Sequence, residues 1–169
     1  MKNKIRARLY RTVLNLWPCI AGAGGRVTYL SEDFSHLKVA LPLTWRTWNA
    51  FGTIYGGSMY ASTDPFYTLM LTRLLGKDYI VWDKGCTIRF KRPAKVTLTA
   101  DFHITPEMLA DVKEKVVQAG EAEFVWTVRF VDDAGAVYAE FDKVVYVATK
   151  ASYKAKQEAR ASRQREAAV

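Results

Sequence analysis

The 169-residue sequence is long enough for one domain with a hydrophobic core, because half of its residues are hydrophobic and 13% are aromatic. This composition excludes an intrinsically disordered chain, and no apolar run approaches the roughly 20 residues that span a bilayer. The net charge of +8 lies at the two ends, and the segment 12–149 is close to neutral. The high isoelectric point therefore does not indicate a nucleic-acid-binding body.

The cysteines and the first apolar run bear on cellular location. Cys19 and Cys86 have no spacing typical of a metal site, so no bound metal is expected. Two such cysteines indicate free thiols in a reducing cytoplasm, although a disulfide between them is not excluded by the sequence. The apolar run 13–17 resembles a signal peptide only weakly, because Asn15 and Pro18 interrupt it. We therefore expect a cytoplasmic protein.

Residues 1–25 are predicted to form a basic amphipathic helix followed by a glycine-rich linker at 22–25. Lys and Arg occupy much of the helix. Its apolar stripe consists of Ile5, Leu9, Val13, Leu16 and Trp17. Such a stripe either packs on its own domain or lies on an anionic membrane. We expect packing, since most stripes of this kind face a core.

Two strands are predicted next, over 26–31 and 36–43, and Pro42 ends the regular alternation of the second. An aromatic, polar loop at 44–50 leads into a turn that contains Gly52, Gly56 and Gly57. Apolar residues then recur at helical spacing up to Gly76, which predicts one long, mostly buried helix. The free N–H groups at its start can donate to an oxyanion, a carbonyl or a phosphate.

Asp64 is the carboxylate of this otherwise apolar helix, and Pro65 follows it directly. Proline removes a helical hydrogen bond and crowds the preceding turn, so a kink is expected here. A charged residue beside a kink in a buried helix is a candidate functional group. A solvated or paired structural carboxylate is the alternative, and local evidence alone favours it.

After the helix, alternating patterns predict four more strands, with a short helix that begins at Thr105-Pro106 and ends at Gly120. The strands are predicted over 79–91, 96–104, 122–130 and 137–148. A basic tail, helical or frayed, is expected over 150–169. These elements predict an α+β domain over 26–149, in which a curved antiparallel sheet of about six strands wraps around one long central helix.

The ordered set Asn49, Gly56-Gly57, Asp64 and Arg92-Pro93 resembles the hotdog-fold thioesterase superfamily. The sequence is similar to acyl-CoA thioesterases of the phenylacetate-pathway type. It is more similar still to a branch of thioesterase-like proteins known as a domain of unknown function. The sequence resembles this branch at three segments, 64–67, 81–84 and 89–93. The resemblance as a whole covers roughly residues 30–148.

The resemblance implies a catalytic set. In similar thioesterases a histidine precedes two glycines, the second glycine's amide polarises the thioester carbonyl, and a helix aspartate nine positions after the histidine activates water. Here Gly56 and Gly57 match, and Asp64 lies nine positions after Tyr55, which replaces the histidine. Asn49 is expected to position the carbonyl or the water. The site is implied to form between two subunits, with Asp64 of one serving Gly57 of the other.

The remaining candidates are expected to bind the substrate. Cations at a strand end can meet the phosphates of coenzyme A, and large apolar side chains can line an acyl slot. The cations are Arg89, Lys91 and Arg92, and the apolar side chains are Trp82 and Phe90. Gly56 is the sixth candidate for substrate binding. The alternatives are a strand edge protected by charge and ordinary core packing.

Three functions are compatible with these observations. The first is hydrolysis of an acyl-CoA or acyl-carrier thioester, with no cofactor beyond the coenzyme A of the substrate. The second is a non-catalytic acyl-CoA or fatty-acyl binding protein of the same fold, which the replacement of histidine by Tyr55 favours. The third, an interaction of the basic ends with membrane lipid or RNA, ranks last.

A homodimer, either alone or as a dimer of dimers, is expected. No nucleic-acid partner is expected, and peripheral membrane contact through the basic ends is left open.

Overall fold

The computed structural model describes residues 2–166, which form a six-stranded antiparallel sheet covered by helices. The strands are β1 (Arg26–Leu30), β2 (His36–Leu41), β3 (Tyr79–Phe90), β4 (Leu98–His103), β5 (Glu121–Val131) and β6 (Val137–Thr149). They lie in the order β1-β2-β4-β5-β6-β3, so that β1 and β3 are the edges. The predicted α+β class and strand number are confirmed.

The helices are α1 (Lys2–Leu16), α2 (Pro18–Ala23), α3 (Gly56–Ala61), α4 (Phe66–Leu75), α5 (Pro106–Ala119) and α6 (Lys150–Glu166). None of the helices within residues 2–166 is both long enough and apolar enough to cross a membrane. Thr105 caps α5 by accepting a hydrogen bond from the amide of Met108 at 3.2 Å, and Gly120 ends it in a left-handed conformation. Both α5 boundaries agree with the sequence prediction.

The core forms where α4 crosses the inner face of the sheet. Phe66 and Tyr67 of α4 are buried, and their rings meet Phe102 of β4 edge to face at centroid distances of 5.3 and 5.1 Å. Tyr67 also contacts the ring of Trp126 on β5. The alternating residues of the central strands supply the other side of this core, as the period-2 pattern predicts.

The prediction of one continuous central helix is wrong, because the segment divides into α3 and α4 at residues 62–65. Pro65 has no N–H to continue the helical ladder. Upstream, the amide and the hydroxyl of Thr63 both bond to the carbonyl of Tyr60, at 2.9 and 2.8 Å. The chain therefore turns before α4 begins, and Asp64 lies in the turn between the two helices rather than inside one.

The expected burial of the apolar stripe of α1 is also wrong. Ile5, Leu9 and Leu16 are 63%, 63% and 74% exposed, and Val13 and Trp17 are exposed as well. The buried side chains of α1 are instead Ala7 and Leu14. Part of the predicted glycine-rich linker is helical, since α2 extends to Ala23 before Gly24 ends it in a left-handed conformation.

Hydrogen bonds to the edge strand explain this orientation of α1. The Asn15 side chain donates to the carbonyl of Val27 at 3.0 Å and accepts from the Val27 amide at 2.7 Å. Arg11 donates to the carbonyl of Thr28 at 2.8 Å. An unpaired strand edge must satisfy its backbone groups, and these two side chains satisfy three of them. They turn the helix so that the stripe faces away from the domain.

The basic C-terminal segment is the helix α6, and its first turns contact the sheet. Lys156 donates to Glu121 at 2.6 Å, and the ring of Tyr153 lies 6.5 Å from that of Tyr146. Tyr146 donates to the same Glu121 carboxylate, which joins β5, β6 and α6 at one point. The division of the chain at residues 25 and 149 stays a prediction.

The orientation of α1 predicts opposite effects for two leucines of the same helix. Leu14→Ala should lower the free energy of unfolding by about 2–4 kcal/mol, because it leaves a cavity in the core. Leu9→Ala should change it by less than about 0.5 kcal/mol, because Leu9 contacts mainly solvent. Urea denaturation of the two variants measures this difference. Equal losses at both positions would contradict the observed orientation.

Candidate functional site

The loop before α3 is organised by Asn49. Its side-chain oxygen accepts hydrogen bonds from the amide of Phe51 at 2.9 Å and from the amide and hydroxyl of Thr53, both at 3.2 Å. Gly52 has a φ of +68°, which lets the chain close this turn. The carbonyl oxygen of the Asn49 side chain therefore holds the loop together. The amide nitrogen of the same side chain is the atom that can donate a hydrogen bond to a ligand.

The end of the loop is fixed to the body by two backbone hydrogen bonds. The amide of Ile54 donates to the carbonyl of Ala94 at 2.8 Å, and that of Tyr55 donates to the carbonyl of Thr47 at 2.7 Å. Tyr55 is extended and makes no side-chain cap, and α3 begins at the next residue. By helix geometry, the amides of Gly56 and Gly57 have no acceptor within the helix.

Aromatic rings explain why two glycines stand at this point. A Cβ atom at Gly56 would lie 2.7 Å from the ring of Phe90, and one at Gly57 would lie 2.2 Å from the ring of Tyr55. Both distances are shorter than any real carbon contact. The two glycines therefore let aromatic rings lie directly against the backbone at the start of α3.

These rings border a surface cleft of about 520 Å³, called here the glycine-turn cleft. It is lined by Asn49, Thr53, Ile54, Tyr55, Gly56, Met59, Phe90, Lys91, Arg92, Pro93 and Ala94. Tyr55 and Phe90 remain more than half exposed to solvent. The cleft thus brings together six of the predicted site residues, with aromatic rings on one side and two cations at a strand end.

The cations at the end of β3 are not equally available to a ligand. Arg89 pairs with Glu140 at 3.3 Å and with Asp142 at 2.8 Å, and Lys91 pairs with Glu140 at 3.1 Å. Hydrogen bonds from Arg129, Lys91 and Arg89 lower the pKa of Glu140 to about 2. Arg92 makes no ion pair with any residue in the described part of the chain.

Four predicted residues do not line the cleft: Gly57, Arg89, Trp82 and Asp64. Trp82 is on β3 and borders a separate groove against α6, together with Tyr153 and Lys156. Asp64, between α3 and α4, borders a shallow depression formed with α2. Its side chain is 47% exposed, and its Oδ1 accepts a hydrogen bond from Lys143 at 3.0 Å.

Lys143 is fully buried and pairs with two carboxylates, Asp64 and, at 3.3 Å, Asp83. Its ammonium group also lies 5.1 Å from the centre of the Tyr60 ring. Burial by itself lowers the pKa of Lys143, but the hydrogen bond to Asp64 and the charges of Asp83 and Asp64 outweigh that effect and raise it. Lys143 is therefore a permanent buried cation. Asp64, Lys143 and Asp83 are called here the lysine–carboxylate cluster.

A β-bulge in β3 builds the second half of this cluster. Asp83 pairs with Val145 of β6, but Gly85 pairs with Val144, so Lys84 is the extra residue. As a result Asp83 and Cys86, three positions apart, both lie on the face of Lys143. Burial raises the pKa of Asp83 and that of the Cys86 thiol. One oxygen of Asp83 is buried without a hydrogen-bond partner among the described residues.

Sequence reasoning missed Lys143, although the sequence carries a signal for it. The buried positions of β6 alternate through Ala139, Phe141, Lys143 and Val145. A lysine at an inward position of such a strand is a buried charge, and buried charges require partners. Within residues 2–166, no group of three or more His, Cys, Asp or Glu is arranged to hold a metal ion.

Sequence comparison places the chain in a family. The family described as "Domain of unknown function (DUF4442)" matches residues 6–147, most of the chain. The chain belongs to the DUF4442 family. This confirms the resemblance to a thioesterase-like branch known as a domain of unknown function. Among curated proteins, no sequence matches that of this DUF4442 chain.

Solved structures show the fold of this DUF4442 protein. A Pseudomonas aeruginosa protein of unknown function, described as "Probable Thioesterase", is 19% identical with a TM-score of 0.73, and the match covers 84% of this chain and 95% of that one. A Haemophilus influenzae thioesterase is 14% identical with a TM-score of 0.62, covering 85% and 90%. A mutant thioesterase from P. aeruginosa is 16% identical with a TM-score of 0.60, covering 82% and 94%. The hotdog fold is confirmed.

Within one DUF4442 chain, the glycine-turn cleft and the lysine–carboxylate cluster are separate. Met59 of α3 lines the cleft, whereas Tyr60, the next residue, borders the depression of Asp64. The single chain therefore does not bring Asp64 into the cleft beside Gly56. The predicted residues that it does bring together are Asn49, Tyr55, Gly56, Phe90, Lys91 and Arg92.

The lysine–carboxylate cluster predicts a stability change with a defined pH dependence. Lys143→Met should lower the free energy of unfolding by about 3 kcal/mol near neutral pH, because it strands buried negative charge. Burial already raises the pKa of Asp83 above 3.8, and loss of the ammonium raises it further. The folded state then binds the proton more tightly than the unfolded state. The deficit should therefore shrink as the pH falls towards about 4.

A double variant provides the control for this prediction. Lys143→Met combined with Asp83→Asn should recover part of the stability and should show a weaker pH dependence of the deficit, because the stranded charge is removed. Denaturant titration at several pH values measures both. A Lys143→Met deficit that is independent of pH would contradict the assignment of the loss to Asp83.

Proposed function

We propose that the protein hydrolyses acyl thioesters and that Asp64 is the general base. The observation that carries this proposal is the placement of Asp64 at a helix break, with one carboxylate oxygen held by a buried ammonium while the side chain stays half exposed. In addition, two solved structures of similar fold are named thioesterases. A positioned, solvent-accessible carboxylate is what water activation requires.

The chemistry divides the two oxygens of Asp64. Oδ1 accepts from Lys143, which fixes the orientation of the carboxylate. Oδ2 takes a proton from a water molecule as that water's oxygen bonds to the thioester carbon. The tetrahedral intermediate then collapses, the carbon–sulfur bond breaks, and the leaving thiolate takes the proton from Asp64. The products are a carboxylic acid and a free thiol.

The second carboxylate of the cluster supports this role. A lone ammonium beside Asp64 would form a neutral ion pair with it. Lys143 is shared with Asp83, at 3.0 Å from Asp64 and 3.3 Å from Asp83, so that the cluster carries one net negative charge. We therefore assign Asp83 a positioning role: it balances Lys143 and leaves Asp64 free to accept a proton.

The proposed oxyanion donor is the amide of Gly57, as the family resemblance implies, with the Tyr55 hydroxyl and the Asn49 amide orienting the substrate. Gly57 lies against the Tyr55 ring, which closes one side of this backbone group. A histidine at position 55 would place a smaller ring beside Gly57.

The proposed substrate is an acyl-CoA or acyl-carrier thioester bound in the glycine-turn cleft. Phe90, Met59 and Tyr55 offer apolar surface to an acyl chain or to the pantetheine arm. Arg92 stacks on the Tyr138 ring at 5.4 Å and borders the cleft, where it can bind a phosphate. Arg89 is not assigned this role, because its two ion pairs occupy the guanidinium group.

A second candidate function is binding of acyl thioesters without hydrolysis. The observation that favours it is the Tyr55 ring over Gly57, at the place where similar thioesterases have a histidine. In that case the glycine-turn cleft would hold the ligand and Asp64 would serve only the buried ion pairs. Hydrolysis assays with acyl-CoAs of different chain length separate the two functions.

The proposed mechanism requires two subunits, because Asp64 borders a different depression of one chain from the cleft lined by Tyr55 and Gly56, the residues that precede Gly57. The side chains of Asn15 and Arg11 occupy the β1 edge, and the opposite edge, β3, pairs with β6 alone among the described strands. We therefore propose a homodimer, alone or within a dimer of dimers, that joins at β3.

Sedimentation velocity at micromolar concentration tests this assembly. The expected result is a dimer or a tetramer that does not dissociate on tenfold dilution, because a stable pair buries on the order of 1,200 Å² or more. A Val117→Ala variant, changed at an exposed position of α5, is the matched control and should sediment in the same way. A monomer would contradict both the dimer and the shared site.

The role of Asp64 is tested by Asp64→Asn, which keeps the shape of the side chain and removes its basicity. Turnover should fall roughly 10²–10⁴-fold with acyl-CoA affinity nearly unchanged. The unfolding free energy of the variant must be measured in parallel, since Asp64 also pairs with Lys143. Hydrolysis at the wild-type rate in this variant would refute the mechanism, whatever the change in stability.

Tyr55 predicts two contrasting outcomes. Tyr55→Phe should reduce turnover less than Asp64→Asn does, because the hydroxyl group only assists in orienting the substrate. Tyr55→His should keep or raise the rate, because a smaller ring that donates a hydrogen bond then stands beside Gly57. Single-turnover assays measure both. If the wild-type protein binds acyl-CoA and hydrolyses none, the binding function is the correct one.

A further inference from the structure

We infer that α1 docks the protein on an anionic lipid surface through its apolar stripe. The stripe, Ile5, Leu9, Val13, Leu16 and Trp17, runs along the helix at spacings of three and four residues, so its side chains project from one face. This face lies opposite Ala7 and Leu14, which are buried against the domain. The most apolar surface of the helix is therefore presented outwards.

Basic side chains flank the stripe on both sides. In the helical projection, Arg8 and, further round, Lys4 follow one flank and Arg6 lies on the other, whereas Arg11 faces the edge strand. Lys4, Arg6 and Arg8 are exposed, and the long stems of such residues reach a headgroup layer while the apolar face enters the lipid. This arrangement is typical of helices that lie in the plane of a membrane interface.

Contacts within the chain hold α1 in place on the domain without any bound lipid. Asn15 holds the helix to the edge strand with two hydrogen bonds of 2.7 and 3.0 Å, and Arg11 adds a third of 2.8 Å. At the other end, the Arg6 guanidinium lies 5.9 Å from the centre of the Phe34 ring. The stripe is therefore presented by a helix that is already formed, which reduces the entropic cost of docking.

Charge decides between a lipid surface and a second copy of the chain as the occupant. The segment 1–11 holds five Lys or Arg, and the first acidic residue of the sequence is Glu32. Two copies of α1 placed face to face would bring like charges together without a carboxylate from either helix to compensate them. Anionic headgroups supply the missing negative charge, at about 1 kcal/mol for each nearby cation, or roughly a fivefold gain in binding.

Trp17 supports the same occupant. Its ring is 49% exposed directly after the last turn of α1, at the end of the stripe. Tryptophan is favoured at the boundary between headgroups and acyl chains, because its ring is apolar and its N–H group is polar. The helix therefore combines an apolar stripe, flanking cations and an aromatic residue of the interfacial type.

Vesicle flotation with the full-length protein tests the proposal. The probes are vesicles of phosphatidylcholine with about one third phosphatidylglycerol, and vesicles of phosphatidylcholine alone. We expect binding to the anionic vesicles at about 0.1 M salt and its loss at about 1 M salt, where the screening length falls from about 10 Å to about 3 Å. Equal binding to both kinds of vesicle, or binding to neither, would overturn the proposal.

Substitutions locate the contact. Leu9→Asp combined with Leu16→Asp should weaken binding at least about tenfold, because the apolar contact is lost and negative charge is added. Val117→Asp on α5 is the matched control: its side chain is 71% exposed, and binding should remain at the wild-type level. Arg6→Gln combined with Arg8→Gln keeps the stripe intact and should weaken binding roughly 25-fold, about fivefold for each cation.

Two further outcomes would refute the inference. If the Leu9→Asp, Leu16→Asp variant binds anionic vesicles as tightly as the wild type, the contact lies elsewhere. If that variant instead lowers the oligomeric state while wild-type protein ignores the vesicles, the stripe is an interface between copies of the chain. Circular dichroism of each variant confirms that α1 and the domain remain folded, which exposed positions should allow.

Discussion

A fully buried ammonium group is the constraint on which much of this structure depends. Lys143 enters the core on an inward position of β6, and an isolated charge there would be severely destabilising. Two separate departures from regular structure supply its partners: the break between α3 and α4 presents Asp64, and the bulge in β3 presents Asp83. Removing either irregularity would leave the lysine with one carboxylate. The ion pairs thus hold an edge strand, its neighbour and the helix break in one arrangement.

The proposed site follows from the same constraint. A carboxylate fixed at one oxygen by a permanent cation needs no reorganisation before it accepts a proton from water, which is the advantage of a preorganised group. The glycine-turn cleft is preorganised by different means, through the Asn49 hydrogen bonds and the rings packed on Gly56 and Gly57. Because the two parts lie in separate depressions of one chain, the proposed reaction depends on how a second chain joins them.

Sequence patterns predicted the strands, the α5 boundaries and the glycine turn before α3, because period-2 alternation, helix caps and glycine turns are local signals. The failures involve long-range partners. Pro65 signalled a kink, but the complete break also depends on how Thr63 bonds to Tyr60. Apolarity alone places the α1 stripe in the core, whereas Asn15 turns the helix to satisfy the backbone of β1 at Val27. The partners of Lys143 could not be predicted, since the bulge that brings Asp83 to it changes which residues of β3 face inwards.

The hydrogen bonds from α1 to β1 also limit how many copies of the chain can associate. A sheet with two open edges can add strands from further molecules without limit, which is the geometry of fibril growth. In this protein, Asn15 and Arg11 bond to the Val27 amide and carbonyl and to the Thr28 carbonyl of β1, which hinders the addition of a strand at this edge. In the proposed dimer joined at β3, each remaining end of the sheet is a β1 edge protected in this way. A short side chain on a surface helix thereby acts as a stop against polymerisation.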